Sequence, residues 1–177
     1  MTLSSSTSPT AWGLGTDEGI PTAHNEVTTH PMAASASVSR GDWVQIHTTA
    51  DTVTKCSDTA ASPDGIAWVD VNNTYKDDGV TAGAAGDKYC PVLRKGFAYV
   101  DGMVTASGNY AATIYFNDLV YLNGSISGIG TEGQAVSAYS SGGTLAGRSL
   151  DYVAVPSASA LYKIRVYIDR LSKATMT

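Results

Sequence analysis

The sequence is poor in the residues that build helices. Glutamate occurs 3 times and leucine 9 times in 177 residues. Strong helix formers are therefore scarce, which excludes a helical bundle and argues against a doubly wound α/β enzyme. Cationic residues are also few. Lys and Arg number 11 against 16 Asp and Glu, for a formal net charge of −5. A nucleic-acid-binding domain carries a basic stripe, and no cluster here is denser than Leu93-Arg94-Lys95, so no direct nucleic-acid partner is expected. No apolar run approaches the roughly 20 residues of a membrane span. No basic stretch followed by an apolar one opens the chain as a signal peptide would. A soluble product of a cytoplasm, with no membrane partner, is expected. Two cysteines are too few for a disulfide framework; Cys56 and Cys90 read as small half-buried thiols, with pairing left open.

Small and β-favouring residues are abundant instead. Ala, Gly, Ser and Thr make up 80 of the 177 residues, beside 15 Val, 8 Ile and 10 Tyr. Such a chain favours strands and turns. Its aliphatic and aromatic content suffices for a core, which excludes wholesale disorder.

Residues 1–40 differ from the rest. They hold seven Ser, seven Thr and three Pro but no Tyr, since all ten Tyr lie at or beyond Tyr75. Their apolar residues are isolated and follow no period. This predicts an extended N-terminal arm over 1–40 and a β-rich domain over 41–177. Trp12, Leu14, Ile20 and Pro21 are candidate anchors, because plain linkers rarely carry such groups and an apolar anchor on an arm has somewhere to dock.

From Gly41 onward short strands alternate with turns. Trp43–His47, Thr52–Cys56, Ile66–Val71, Tyr89–Leu93, Phe97–Val100, Ala111–Phe116, Leu119–Leu122, Leu150–Val155 and Leu161–Leu171 all read as strands. In the last, Ile164, Val166 and Ile168 face one way and Lys163, Arg165 and Asp169 the other. Tyr89–Leu93 leads through Arg94-Lys95-Gly96 into Phe97–Val100, and Asp101-Gly102 reads as a tight hairpin turn into Met103-Val104. One helical turn is allowed, near Gln134–Tyr139. Gly65–Asp70 echoes Gly96–Asp101, which reads as two strands with similar packing, since no third copy appears.

Sites of reaction chemistry are not expected. Gly128–Gly133 matches G-x-G-x-x-G, but too few residues follow before Gly142-Gly143 to form the helix that faces a pyrophosphate. His24, His30 and His47 share no metal-ligand spacing. Gly124–Gly128 puts Ile126 where a nucleophilic serine would stand. Asp77-Asp78 lacks the oxygen ligands of a calcium loop and reads as a solvated turn. Tyrosines alternating with Val, Ile or Ala suit cross-strand packing better than an exposed platform. No catalytic residue, metal or cofactor is expected, and the chain does not read as an enzyme.

Three pieces carry a resemblance: Gly41-Asp42-Trp43-Val44 after a polar arm; Asp64–Ala67 followed by Pro91–Val100; and Asn117–Leu122 followed by Gly147–Val155 and a terminal alternating strand. Their order resembles the head decoration, or capsid cement, proteins of tailed viruses, including the family of the phage lambda decoration protein. The resemblance spans roughly residues 41–171. It implies an all-β, single-domain, tulip or barrel-like fold with short strands and an N-terminal arm. It also implies a structural role on the outer capsid surface of a virion. There such proteins bind the major capsid protein as homotrimers at three-fold and quasi-three-fold positions and hold the shell against the pressure of packaged DNA.

Two other classes compete. A tail-associated or adhesin-type β-sandwich that binds carbohydrate would need exposed aromatics to converge, Tyr110, Tyr115, Tyr121 and Tyr139 being the candidates. A small hydrolase on a β scaffold would need an acid–base pair in a pocket.

Overall fold

The computed structural model describes residues 25–57, 63–104, 113–123, 134–138, 144–154 and 160–169. Among them there is no helix, and thirteen strands make an all-β fold with barrel character. In chain order these are β1 (Glu26–Pro31), β2 (Ser37–Val38), β3 (Trp43–His47), β4 (Thr52–Lys55), β5 (Gly65–Ala67), β6 (Val71–Asn72), β7 (Tyr89–Val104), β8 (Thr113–Ile114), β9 (Leu119–Asn123), β10 (Ala135–Ser137), β11 (Thr144–Ser149), β12 (Val153–Ala154) and β13 (Ala160–Asp169).

The long strand β7 organises the rest. At roughly 3.3 Å per residue its 16 residues span about 50 Å, enough to serve two rings of strands in succession. Its second half pairs with β13 over ten residues, Lys95↔Asp169 to Val104↔Ala160. β13 pairs with β11, β11 with β9, β9 with β10, and β10 returns in parallel to Asp101 and Gly102 of β7. Those five strands form a closed barrel. The first half of β7 pairs with β1 and β5; β5 pairs with β3 and β3 with β4. A parallel bridge from Met32 to Val53 then joins the ends of β1 and β4, with Ala33 N–H donating to the Val53 carbonyl at 3.0 Å.

Two cores result, and adjacent residues divide between them. Trp43, Ile66 and Leu93 pack with Val100, Leu122, Val136, Ile164, Val166 and Ile168 in the larger cluster. Their neighbours Val44, Ala67 and Val92 pack with Met32, Val38, Val53 and Cys90 in the smaller. Side chains on a strand alternate faces, so β3, β5 and the start of β7 form a wall buried on both sides. This explains why Trp43-Val44, Ile66-Ala67 and Val92-Leu93 are unbroken apolar pairs.

The structure corrects several expectations. The folded region begins well before Gly41. β1 pairs with β7 from Glu26 onward, Met32 is fully buried, and Val38 is buried beside it. The Ser/Thr-rich composition of this stretch disguised strands that gain stability from a backbone ladder more than from their own side chains. Asp101-Gly102 does not turn; it lies within β7, which also runs unbroken through Arg94-Lys95-Gly96. Gly96 takes φ +128°, and a Cβ there would overlap the Asn25 side chain, whose Oδ1 accepts the Phe97 N–H at 3.1 Å. Gly102 leaves room for Ile164, whose Cδ1 would stand 2.8 Å from an added Cβ. Both glycines thus serve close approach within a strand. The segment near Gln134–Tyr139 holds strand β10 in place of a helical turn. Ile66–Val71 divides into β5 and β6, and Tyr115 and Phe116 lie beyond β8 in a turn. In β13, Ile164, Val166 and Ile168 are buried while Lys163 and Arg165 are exposed, as the alternation required.

Candidate functional site

The most prominent exposed feature is an aromatic turn beside the small sheet of β8 and β12. Val153 pairs with Ile114, so the same register sets Tyr152 opposite Tyr115. Their ring centroids are 5.6 Å apart and tilted by 54°. Tyr115, Phe116 and Tyr152 are 57%, 69% and 64% exposed. Exposed large aromatics gathered in one place mark recognition surfaces more than packing. Tyr115 and Tyr152 do pack across strands, as expected of the tyrosines, but they are also exposed, which was not expected. Alternation shows that Ile114 and Tyr115 face opposite ways but not which face is covered.

Backbone chemistry holds this turn rigid. The Asp118 carboxylate reaches back to accept the Tyr115 N–H at 2.8 Å, which closes the turn. Asn117 takes φ +69°, within the left-handed region that Asn tolerates. Asn117 N–H donates to the Ser149 carbonyl at 2.8 Å, and Ser149 N–H donates back to the Asp118 carbonyl at 2.9 Å. Arg148 adds Nη1–H to the Asn117 carbonyl at 3.2 Å. Next to Tyr152, Asp151 accepts Nε–H and Nη2–H of Arg165 at 3.0 and 2.6 Å and the Arg165 backbone N–H at 2.7 Å. Burial alone would raise the Asp151 carboxyl, but these Arg165 contacts outweigh it and hold the pKa below the usual carboxylate value.

A second ordered surface is the excursion between β6 and β7. Asn73 is fully buried, and its Nδ2 donates to the carbonyls of Ala33 and Ala84, both at 2.9 Å. At its far end Asp78 accepts from the Thr81 hydroxyl at 2.5 Å and from the N–H groups of Val80 and Thr81. The Thr81 hydroxyl leads these contacts in lowering the Asp78 carboxyl to about 2. Val80, at this tip, is 82% exposed. Asp77-Asp78 is therefore a self-satisfied turn, with Asp77 paired to Lys88 at 3.4 Å.

One arrangement mimics catalytic wiring. The Thr28 hydroxyl lies 2.8 Å from His30 Nε2, and His30 Nδ1 lies 3.0 Å from Asp51 Oδ1. A hydroxyl nucleophile works from a strained turn beside N–H donors for the oxyanion. Thr28 sits instead within β1, in ladder register with Val92. The series ties β1 to the β3–β4 turn, where Asp51 takes φ +50°. Among the described residues, no group of three or more His, Cys, Asp and Glu is placed to hold a metal ion. Cys56 and Cys90 are both buried, one in each core. Burial pushes the Cys90 thiol up to about 11.

Of the residues singled out in the sequence, Trp12, Leu14, Ile20 and Pro21 lie outside the described residues, as do Tyr110 and Tyr139. Tyr121 is half-buried in β9. Of the two described candidates, Tyr115 forms the aromatic turn while Tyr121 lies in β9; Phe116 and Tyr152, which join Tyr115 there, were not anticipated. The available signal was Tyr115-Phe116 running directly into the turn pair Asn117-Asp118. No protein-family model matches the sequence, and no curated protein matches it.

Proposed function

We propose that this chain is a structural virion protein that binds the outer surface of a tailed-virus capsid and stabilises it against internal DNA pressure. The observation that carries the reading is the closed all-β body built around one shared wall, which agrees with the fold class that the resemblance to decoration proteins implies. One continuous strand, β7, runs through both rings, and a body joined in this way suits a clamp between neighbouring subunits. The partner is the major capsid protein, and the protein acts as a homotrimer at three-fold and quasi-three-fold positions. Trp12, Leu14, Ile20 and Pro21 supply the apolar anchors. An arm of this composition can lie along a shell and add a strand to an exposed edge. Several such arms on one trimer bind jointly, so each need bind only modestly. The formal charge of −5 suits an outer surface that must not trap nucleic acid.

The test is immunogold labelling of purified virus particles from the source culture with antibody against the chain. Gold over intact, DNA-filled heads is expected. Particles free of label on their heads overturn the proposal.

A further inference from the structure

We infer that the Tyr115–Phe116–Tyr152 turn is a binding site for a neutral, pyranose-containing glycan. The inference rests on this surface alone and stands apart from the capsid reading.

Three observations lead to it. The aromatic area is exposed, with Tyr115 and Tyr152 meeting at 5.6 Å and a 54° tilt. Sugar rings present C–H faces that pack on aromatic faces and hydroxyls that hydrogen-bond at the margin, and the amphipathic tyrosine ring suits both. The turn is also built before any ligand arrives. Asp118, Asn117, Ser149 and Arg148 hold its backbone through hydrogen bonds of 2.8 to 3.2 Å. A rigid aromatic surface loses little entropy on binding, which matters for ligands as weakly held as sugars.

Charge selects the occupant. Among the described residues, the charged groups hydrogen-bonded at this turn or beside Tyr152 are Asp118, Arg148, Asp151 and Arg165, two of each sign. Arg165 is committed to Asp151, Arg148 to the Asn117 carbonyl and Asp118 to the Tyr115 N–H. A nucleic acid or an acidic polysaccharide needs a cationic surplus, and a basic peptide needs an anionic one. The balanced border offers neither, while the second Asp118 oxygen and the Arg148 N–H groups beyond the Asn117 contact can meet sugar hydroxyls. A second copy of the chain is the competing occupant, and the test separates it.

Affinity electrophoresis of the full chain would run through gels holding mannan, dextran, galactomannan or mixed-linkage β-glucan, with alginate as the anionic comparison. At least one neutral polysaccharide should retard the protein and alginate should not. Tyr152→Ala and Phe116→Ala should each weaken the retarding interaction at least tenfold, with the melting temperature and far-ultraviolet spectrum unchanged. Retardation by none of the neutral polymers overturns the inference, as does equal retardation of both variants and the parent. Sedimentation velocity supplies the other arm. If Tyr152→Ala dissociates an oligomer of the parent chain, the turn is a subunit interface and the glycan site is wrong.

Discussion

The side-chain amide of Gln134 pairs with the backbone of Trp43 as a neighbouring strand would. Its Oε1 accepts the Trp43 N–H at 2.8 Å, and its Nε2 donates to the Trp43 carbonyl at 2.9 Å. The other Nε2 proton goes to the Cys56 carbonyl at 2.7 Å. Gln134 stands immediately before β10, the strand that closes the larger barrel, while Trp43 opens β3 and Cys56 follows β4. One buried carboxamide thus fastens the two rings together.

Replacing Gln134 with Leu keeps the volume and removes all three bonds. The Trp43 N–H and the Cys56 carbonyl then lose a partner in a buried setting, at about 1–3 kcal/mol each. We expect a loss of about 3 kcal/mol, read as a lower urea midpoint with an unchanged slope. A midpoint within experimental error of the parent would show that the carboxamide contributes nothing net.

Gly102→Val tests the close approach inside β7. Its side chain would collide with Ile164, which lies 2.8 Å from an added Cβ. Overpacking of this kind costs about 1–3 kcal/mol. Thermal unfolding should shift down by several degrees. An unshifted transition would mean that β7 and β13 can part locally, and the tight register between them would need revision.

These two residues also show how far the sequence was legible. Trp43–His47 and the alternation Ile164, Val166, Ile168 were plain, because a strand with one covered face writes its period into its residues. Gln134 and Gly102 were not. Nothing local announced the role of Gln134, and Asp101-Gly102 carries the local signature of a turn; a long-range partner decides each, Trp43 for the one and Ile164 for the other. β1 escaped notice for the same reason. Val27 and Thr29 are exposed, so nothing in its pattern announced a buried face, and its ladder partners lie in β7, about sixty residues away. The aromatic turn was half legible. Asn117-Asp118 marked the bend, but Tyr152 joins Tyr115 only through the β8–β12 register.

The β6–β7 excursion should loosen in acid. Its Asp78 carboxyl titrates at about 2 in the folded chain against an ordinary 3.8, chiefly through the Thr81 hydroxyl. A lowered folded value means that the fold favours the charged form. The stabilisation is therefore complete above pH 3.8 and is lost as the pH falls towards 2. Amide exchange at Val80 and Thr81 should accelerate across that window. In Asp78→Asn the same amides should exchange at a rate that no longer changes between pH 4 and 2 beyond the intrinsic dependence. Equal acceleration in parent and variant would assign the effect to another group.

Both cysteines should be silent in the native protein. Cys56 and Cys90 are both buried, and burial pushes the Cys90 thiol up to about 11. Thiolate is the reactive form, so at pH 8 a thiol reagent should label neither until denaturant is added, after which two equivalents react. Rapid labelling of the native chain would mean that one of the two cores opens readily.

The most direct test of the central claim uses heads stripped of the protein, to which the full chain or a variant lacking residues 2–20 is added back. Co-sedimentation with expanded heads should saturate at a fixed stoichiometry for the full chain. The truncation lacks Trp12, Leu14 and Ile20. Burying each such side chain contributes about 1.5–3 kcal/mol, so its binding should weaken at least tenfold while its melting temperature stays within about a degree. Saturable binding that depends on the removed residues is the result expected. A full chain that stays in the supernatant at every head concentration would contradict the capsid assignment outright.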